Sequence, residues 1–342
     1  MLTSQMSFLS SYSKVFENVL LNIGTNLKSY IAFNVNEEKK LFSAISYAYA
    51  NGGKRLRPVL ALLTAEAIQG GTKNSRDGVL EHLSNEDELK NNPAMGLALA
   101  IELIHCGSLV HDDLPCMDND DLRRGKPTNH IVYGEDIALL TGDFLLVNPV
   151  SVFIEYSKDV LGLSDSLILK VVSNLTLAVQ QMIVGQAMDL ELARLNLKLK
   201  REEDEIQQHN SATALEYFRK SRLMQEFKTG ALLSASIVNG AILAGADTGQ
   251  LKALEKYAAN LGLAFQIVDD VLDYTSTPEQ MGKQTQKDAQ QNKLTYVDLY
   301  GIDGAMAKAS ELITEAKEIL SATQIYSDKL KLVADYVLHR NN

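Results

Sequence analysis

Apolar residues recur every three or four positions along almost the whole chain. Between Leu251 and Leu272 they fall at 251, 254, 258, 261, 265, 268 and 272, the spacing of one face of a helix. Similar patterns cover residues 38–50, 55–68, 94–113, 135–157, 166–195, 212–245, 303–320 and 328–339. No alternating stretch bounded by turn dipeptides competes with them, so the pattern predicts an all-α protein. Two polar stretches interrupt it. Residues 70–92 are rich in Gly, Asn, Ser and charge and read as a surface insertion, and residues 198–209 read as a solvated helix end. The helical pattern resumes after each, which predicts a single domain over 1–342, with residues 1–36 open to a further N-terminal helix.

Composition narrows the class. Of 342 residues, 46% are apolar, enough for a large core, and the net charge of −10 argues against nucleic acid as a partner. The two cysteines, Cys106 and Cys116, lack metal-type spacing and read as reduced thiols. No uninterrupted apolar run reaches the roughly 18 residues of a membrane span, so no stable membrane insertion is expected. Met1–Lys14 has no basic stretch followed by an apolar block. The expectation is a cytoplasmic protein, with plastid targeting left open.

The chemistry concentrates in His111–Lys126. Asp112, Asp113, Asp118, Asp120 and Asp121 lie within ten residues, followed at once by Arg123, Arg124 and Lys126. Carboxylates so crowded raise one another's pKa unless compensated. An all-oxygen set suits Mg²⁺ completed by phosphate oxygens, and the forked arginine donors match phosphate as well. An acidic loop in solvent is the plain alternative. His105, Ser108 and Asp112 share a helix face, and Pro115 should stop that helix, which lets Asp118 fold back towards Asp112.

A second cluster lies far downstream. Gln266, Asp269, Asp270 and Asp273 fall at i, i+3, i+4 and i+7 of a helix that is otherwise apolar. Buried carboxylates need a partner or a metal. Basic residues accompany the clusters: Lys54 and Arg57 in Gly52–Pro58, Lys228 with Thr229, Lys283, and Lys293 in Lys-Leu-Thr-Tyr.

The order of these blocks resembles the trans-isoprenyl diphosphate synthases, the head-to-tail polyprenyl synthetases. It is most similar to the geranylgeranyl and farnesyl diphosphate synthases of bacterial and plant type. The likeness runs from about Glu38 to the C-terminus. It implies one bundle of long helices around a deep central cavity, and a homodimer. It implies that Asp112, Asp113, Asp118, Asp269 and Asp273 hold Mg²⁺, about three ions with the diphosphate, with Asp270 and Lys228 in the catalytic set. Arg123, Lys228, Thr229, Gln266 and Lys283 would contact the allylic diphosphate. Lys54, Arg57, His105 and Arg124 would contact isopentenyl diphosphate. Gln186 and Asp189 would line the cavity. Gln286 stands where the family often has Gly, and Val297 where it often has Pro, which bears on a closing loop.

The residues fit the same reaction. An allylic diphosphate ionises if negative charge on the leaving group is stabilised, which divalent metal and preorganised cations do. A nearby alkene then attacks the cation. A terpene cyclase should lack Lys54, Arg57 and Arg124. A non-catalytic partner subunit should lack one aspartate motif. A phosphohydrolase rests only on the pair His111-Asp112.

Product length should depend on residues one turn before Asp112. Gly107 and Ser108 are small, so the growing chain should pass them and stop at Ile104 and Ile101, with Met182 facing. This predicts geranylgeranyl diphosphate (C20), with farnesyl diphosphate (C15) as the alternative.

Overall fold

In the computed structural model, residues 2–26, 39–70, 86–203, 211–275, 295–323, 325–326 and 328–340 are described. They are helical almost throughout, as the periodicity predicts. The helices are α1 (Leu2–Asn26), α2 (Lys39–Ala50), α3 (Leu56–Ile68), α4 (Glu86–Lys90), α5 (Met95–Asp112), α6 (Asn129–Tyr133), α7 (Glu135–Glu155), α8 (Asp165–Glu203), α9 (Ser211–Gln225), α10 (Ala231–Leu243), α11 (Thr248–Thr275), α12 (Tyr296–Ser321) and α13 (Asp328–His339). Wider π-helical turns follow α7 at Tyr156–Val160 and α9 at Glu226–Gly230. A two-residue ladder pairs β1 (Leu122–Arg123) with β2 (Lys126–Pro127). It is too short for the alternation by which a strand is recognised in sequence.

The chain falls into two compact units. One comprises Met1–Ser173, Ser236–Asp247 and Tyr326–Leu330; the other comprises Asn174–Ala235, Thr248–Ile325 and Lys331–Asn342.

The first unit is built on α5. It is buried without a break from Met95 to Ile104, so it packs on all sides rather than along one stripe. Its neighbours are α2, α3 and α7. Two glycines allow α7 to approach closely. A Cβ on Gly107 would lie 2.8 Å from the Leu145 Cβ and 3.2 Å from the Gly142 carbonyl oxygen, and a Cβ on Gly142 would overlap the His111 ring. In the second unit α11 packs along α12. Thr295 starts α12 with a reciprocal cap: its hydroxyl accepts from the Asp298 N–H, and the Asp298 carboxylate accepts from the Thr295 N–H at 2.7 Å.

Glu135–Val160 and Asp165–Arg194 have the length and hydropathy of a membrane span. The expectation of none counted uninterrupted runs, which Asp143, Asn148 and Pro149 break in α7. Length and composition alone also describe a core helix, and α7 has one face buried against α5.

Candidate active site

The first aspartate cluster sits where α5 stops. Pro115 has no N–H to extend the helix. Buried Leu114 anchors the turn, and the Asp118 N–H donates to the Asp112 carbonyl at 2.9 Å. The chain therefore folds back as the sequence predicts, with Asp112 half-buried and Asp118 exposed.

Asp113 is different. It is buried, and Arg123 grips it with Nε at 2.9 Å and Nη2 at 2.6 Å. Burial raises its carboxyl above the usual range, and the Arg123 bonds only partly offset this. Asp113 thus holds Arg123 at the end of α5, with Asp112 and Asp118 beside it.

Arg123 and Arg124 part at a tight turn. The central residues of the hairpin, Arg124 and Gly125, have φ of 54° and 75°, as a type I′ turn requires. Arg123 turns to Asp113, and Arg124 donates to the Gly52 carbonyl. Arg57 Nη1 lies 3.5 Å from His105 Nε2. Burial, then the guanidinium groups of Arg57, Arg124 and Arg123, hold His105 well below its usual pKa, so the ring is neutral near pH 7. Lys54 is exposed at the start of the same region. A cavity in this unit is lined by Tyr47, Asn51, Cys106, Asp113, Arg123 and Arg124, among others.

One expectation is corrected here. The space a side chain at Gly107 would need is taken by Leu145 and Gly142 of α7. Gly107 is a close-packing glycine and does not open room for a product. Ser108 is half-buried on the face shared with His105 and Asp112, and its hydroxyl donates to the His105 carbonyl at 2.9 Å.

The second cluster lies in the other unit, on α11. Its four polar residues divide by depth. Asp270 is 1% exposed; it accepts from Gln266 Nε2 at 2.9 Å and from the Tyr296 N–H at 3.3 Å. It fastens α11 to the start of α12. Asp269 and Asp273 are half-buried. Asp269 accepts from Arg340 Nη2 at 2.6 Å. Lys228 stands in the Glu226–Gly230 π turn and pairs with Asp189 at 2.6 Å. Gly185 makes this possible, since a Cβ there would overlap the Lys228 backbone. Thr229 is half-buried beside it. Lys283 and Gln286 lie outside the described residues.

Sequence reasoning missed Arg340, Arg55 and Glu102. Glu102 carried a signal, as an acid inside an apolar run. Arg340 carried none, being 71 residues from its partner.

Among the described residues, no three of His, Cys, Asp and Glu form a metal cage. The carboxylates of the two motifs are the donor type that a hard cation takes together with phosphate oxygens. The candidate ligands in both motifs are carboxylate oxygens; Cys106 is buried, Cys116 is an exposed thiol within the first motif, and His111 Nε2 lies 3.0 Å from the Leu139 carbonyl oxygen.

The polyprenyl synthetase family model matches residues 38–334. The chain belongs to the polyprenyl synthetase family. This polyprenyl synthetase is 38% identical over 304 residues to a geranylgeranyl diphosphate synthase of Cyanophora paradoxa, covering 88% of each chain. Among solved structures, an FPP/GFPP synthase from Zymomonas mobilis has a TM-score of 0.71 at 27% identity, over 98% of this chain and 100% of the other. A geranyltransferase from Helicobacter pylori complexed with magnesium and isoprenyl diphosphate has a TM-score of 0.65 at 29% identity, over 97% and 94%. The all-α isoprenoid synthase fold expected from the sequence is the fold observed.

Proposed function

We propose that this polyprenyl synthetase condenses isopentenyl diphosphate head-to-tail with allylic diphosphates and releases geranylgeranyl diphosphate. The observation that carries the reading is the opposite placement of Arg123 and Arg124. Arg123 is locked to the first aspartate motif, and Arg124 is turned to the Gly52–Gly53 loop beside Lys54, with Arg57 against His105. Two neighbouring cations thereby serve two diphosphates. A terpene cyclase has no use for the second set.

In this reading Asp112, Asp113, Asp118, Asp269 and Asp273 would hold Mg²⁺, which when bound would stabilise charge on the departing diphosphate as a Lewis acid. Arg123 is preorganised by Asp113 to add donors to the same phosphate oxygens. Lys228, fixed by Asp189, contributes a further cation, with Thr229 and Gln266 beside it. Lys54, Arg57, His105 and Arg124 hold isopentenyl diphosphate so that its alkene is near the allylic carbon. Neutral His105 donates or accepts a hydrogen bond without adding charge.

The C20 product is supported by small Ser108 one turn above Asp112 and by the relative named above. Leu145 filling the space at Gly107 favours the C15 alternative. A second copy of the chain is the proposed partner, supported by the apolar stripe Leu140, Val147 and Ile154 on α7, which are 51%, 74% and 36% exposed.

Incubation with Mg²⁺, isopentenyl diphosphate and dimethylallyl, geranyl or farnesyl diphosphate, followed by chain-length analysis of extracted lipids, tests the reading. A C20 prenyl diphosphate is expected. Cyclised hydrocarbon, phosphate release without elongation, or no turnover would overturn it.

A further inference from the structure

Lys54, Arg55 and Arg57 are three cations within four residues, yet the fold treats them differently. Lys54 is exposed and Arg57 half-buried, while the Arg55 side chain is 1% exposed. Its Nη1 donates to Glu102 at 2.5 Å, and its Nη2 donates to Glu17 at 3.0 Å and to the Tyr49 carbonyl at 2.7 Å. Glu102 is itself 2% exposed, in the fully encased stretch of α5. One guanidinium thus ties together α1, the end of α2 and α5.

The segment it ties turns sharply and is strained at Arg55. Gly52, Gly53 and Arg55 all have positive φ, at 73°, 142° and 49°. A non-glycine residue rarely adopts that conformation and needs its surroundings to hold it there. Further bonds fasten the loop: Ser13 Oγ donates to the Lys54 carbonyl at 2.9 Å, and Arg124 donates to the Gly52 carbonyl. Arg55 also precedes the first turn of α3, which carries Arg57. On α5, Glu102 and His105 are three residues apart, on one face. The Arg55–Glu102 pair therefore fixes the spacing at which Arg57 meets His105.

We propose that the Arg55–Glu102 pair is the positioning device of the isopentenyl diphosphate site. Arg55 never meets substrate; it holds the loop and the first turn of α3 so that Lys54 and Arg57 are preset for the diphosphate. This rests on reading Lys54, Arg57 and His105 as that site. A buried pair that served stability alone would be no more use here than apolar residues of equal volume.

The test uses the full-length enzyme carrying Glu102→Gln, Arg55→Lys or Glu17→Gln, with Lys54→Ala and Arg57→Ala as controls on the site. Initial rates are measured with each substrate varied separately. Binding of isopentenyl diphosphate alone is measured by calorimetry, and folding by circular dichroism. Glu102→Gln should raise KM and Kd for isopentenyl diphosphate about 10-fold, with allylic KM and kcat moving less than about 3-fold. Arg55→Lys keeps the charge but loses the fork, and should fall between this variant and wild type.

Equal changes in both substrates, or no change in folded protein, would overturn the proposal. If Glu102→Gln does not fold, Glu17→Gln decides, because it removes one arm of the hub at a partly exposed position; a selective rise supports the proposal and none refutes it. If Lys54→Ala and Arg57→Ala leave isopentenyl diphosphate binding unchanged, it is the reading of the site that fails.

Discussion

Arg340 Nη2 donates to Asp269 Oδ1 at 2.6 Å and to the Phe265 carbonyl at 2.8 Å, while its guanidinium stacks 3.7 Å from the centroid of the Phe265 ring. Arg340, just past α13, thus orients the first aspartate of the second motif. A residue that orients a metal-binding carboxylate typically influences affinity or activity by about 10–100-fold. Arg340→Ala should lower kcat in that range and raise the Mg²⁺ concentration needed for half-maximal rate. Arg340→Lys should not restore it, because an ammonium cannot both stack and fork. A wild-type Mg²⁺ titration in Arg340→Ala would separate Asp269 from this control.

Both aspartate motifs should be indispensable. Asp112→Ala and Asp269→Ala are each expected to lower turnover on the order of 10³-fold or more, since each removes charge stabilisation made in the transition state. Single-turnover rates at saturating Mg²⁺ check this, and near-normal rates in either variant would remove that residue from the metal set.

The two arginines should separate kinetically. Arg124→Ala should raise KM for isopentenyl diphosphate more than for the allylic primer. Arg123→Ala should do the reverse and also lower thermal stability, because it leaves the buried Asp113 carboxylate without the partner that grips it. Equal effects on both substrates would contradict their opposite placement.

His105 makes a prediction about acid. Its folded pKa lies well below the ordinary 6.5 because of burial and the neighbouring arginines. Below about pH 6.5 the unfolded chain takes up a proton at this site that the folded chain refuses. Stability is therefore fully present above that pH and falls as pH drops, by up to about 1.4 kcal/mol per pH unit for one proton. Urea unfolding between pH 7.5 and 5 should show a shallower acid-side decline in His105→Gln than in wild type.

Product length should respond at Ser108 and not at Gly107. Ser108→Phe is expected to shift the main product from C20 towards C15 with ionisation intact. Gly107→Tyr should instead destabilise the protein, because overpacking a closely packed site typically costs about 1–3 kcal/mol and this side chain is far larger than the gap. A stable Gly107→Tyr enzyme that makes C15 would restore the open-space account.

The helices were legible because apolar periodicity is a local signal; α5, α7, α11 and α13 match their expected spans to within a few residues. The turn back at Asp118 was legible from Pro115 alone. The division of roles within each motif was not. Adjacent Asp112 and Asp113 look alike in sequence, and so do Asp269 and Asp270. Which of each pair is buried depends on Arg123 and on the Tyr296 N–H, contacts that no spacing rule encodes. Gly107 misled because a missing side chain reads as empty space until the neighbouring helix is in place.

That neighbouring helix has a mechanical consequence. Gly107 on α5 receives Leu145, and Gly142 on α7 faces His111, so each helix seats a side chain of the other. Sliding α7 past α5 by one turn, about 5.4 Å, would drive both side chains out of their notches into occupied backbone. The pair works as a detent, and packed interfaces of this kind shift in steps or not at all. The end of α5 that carries Asp112 therefore cannot ratchet along α7 as substrates arrive and products leave. Displacement of the first aspartate motif relative to α7 is then left to the turn beyond Leu114, whose residues enter neither notch.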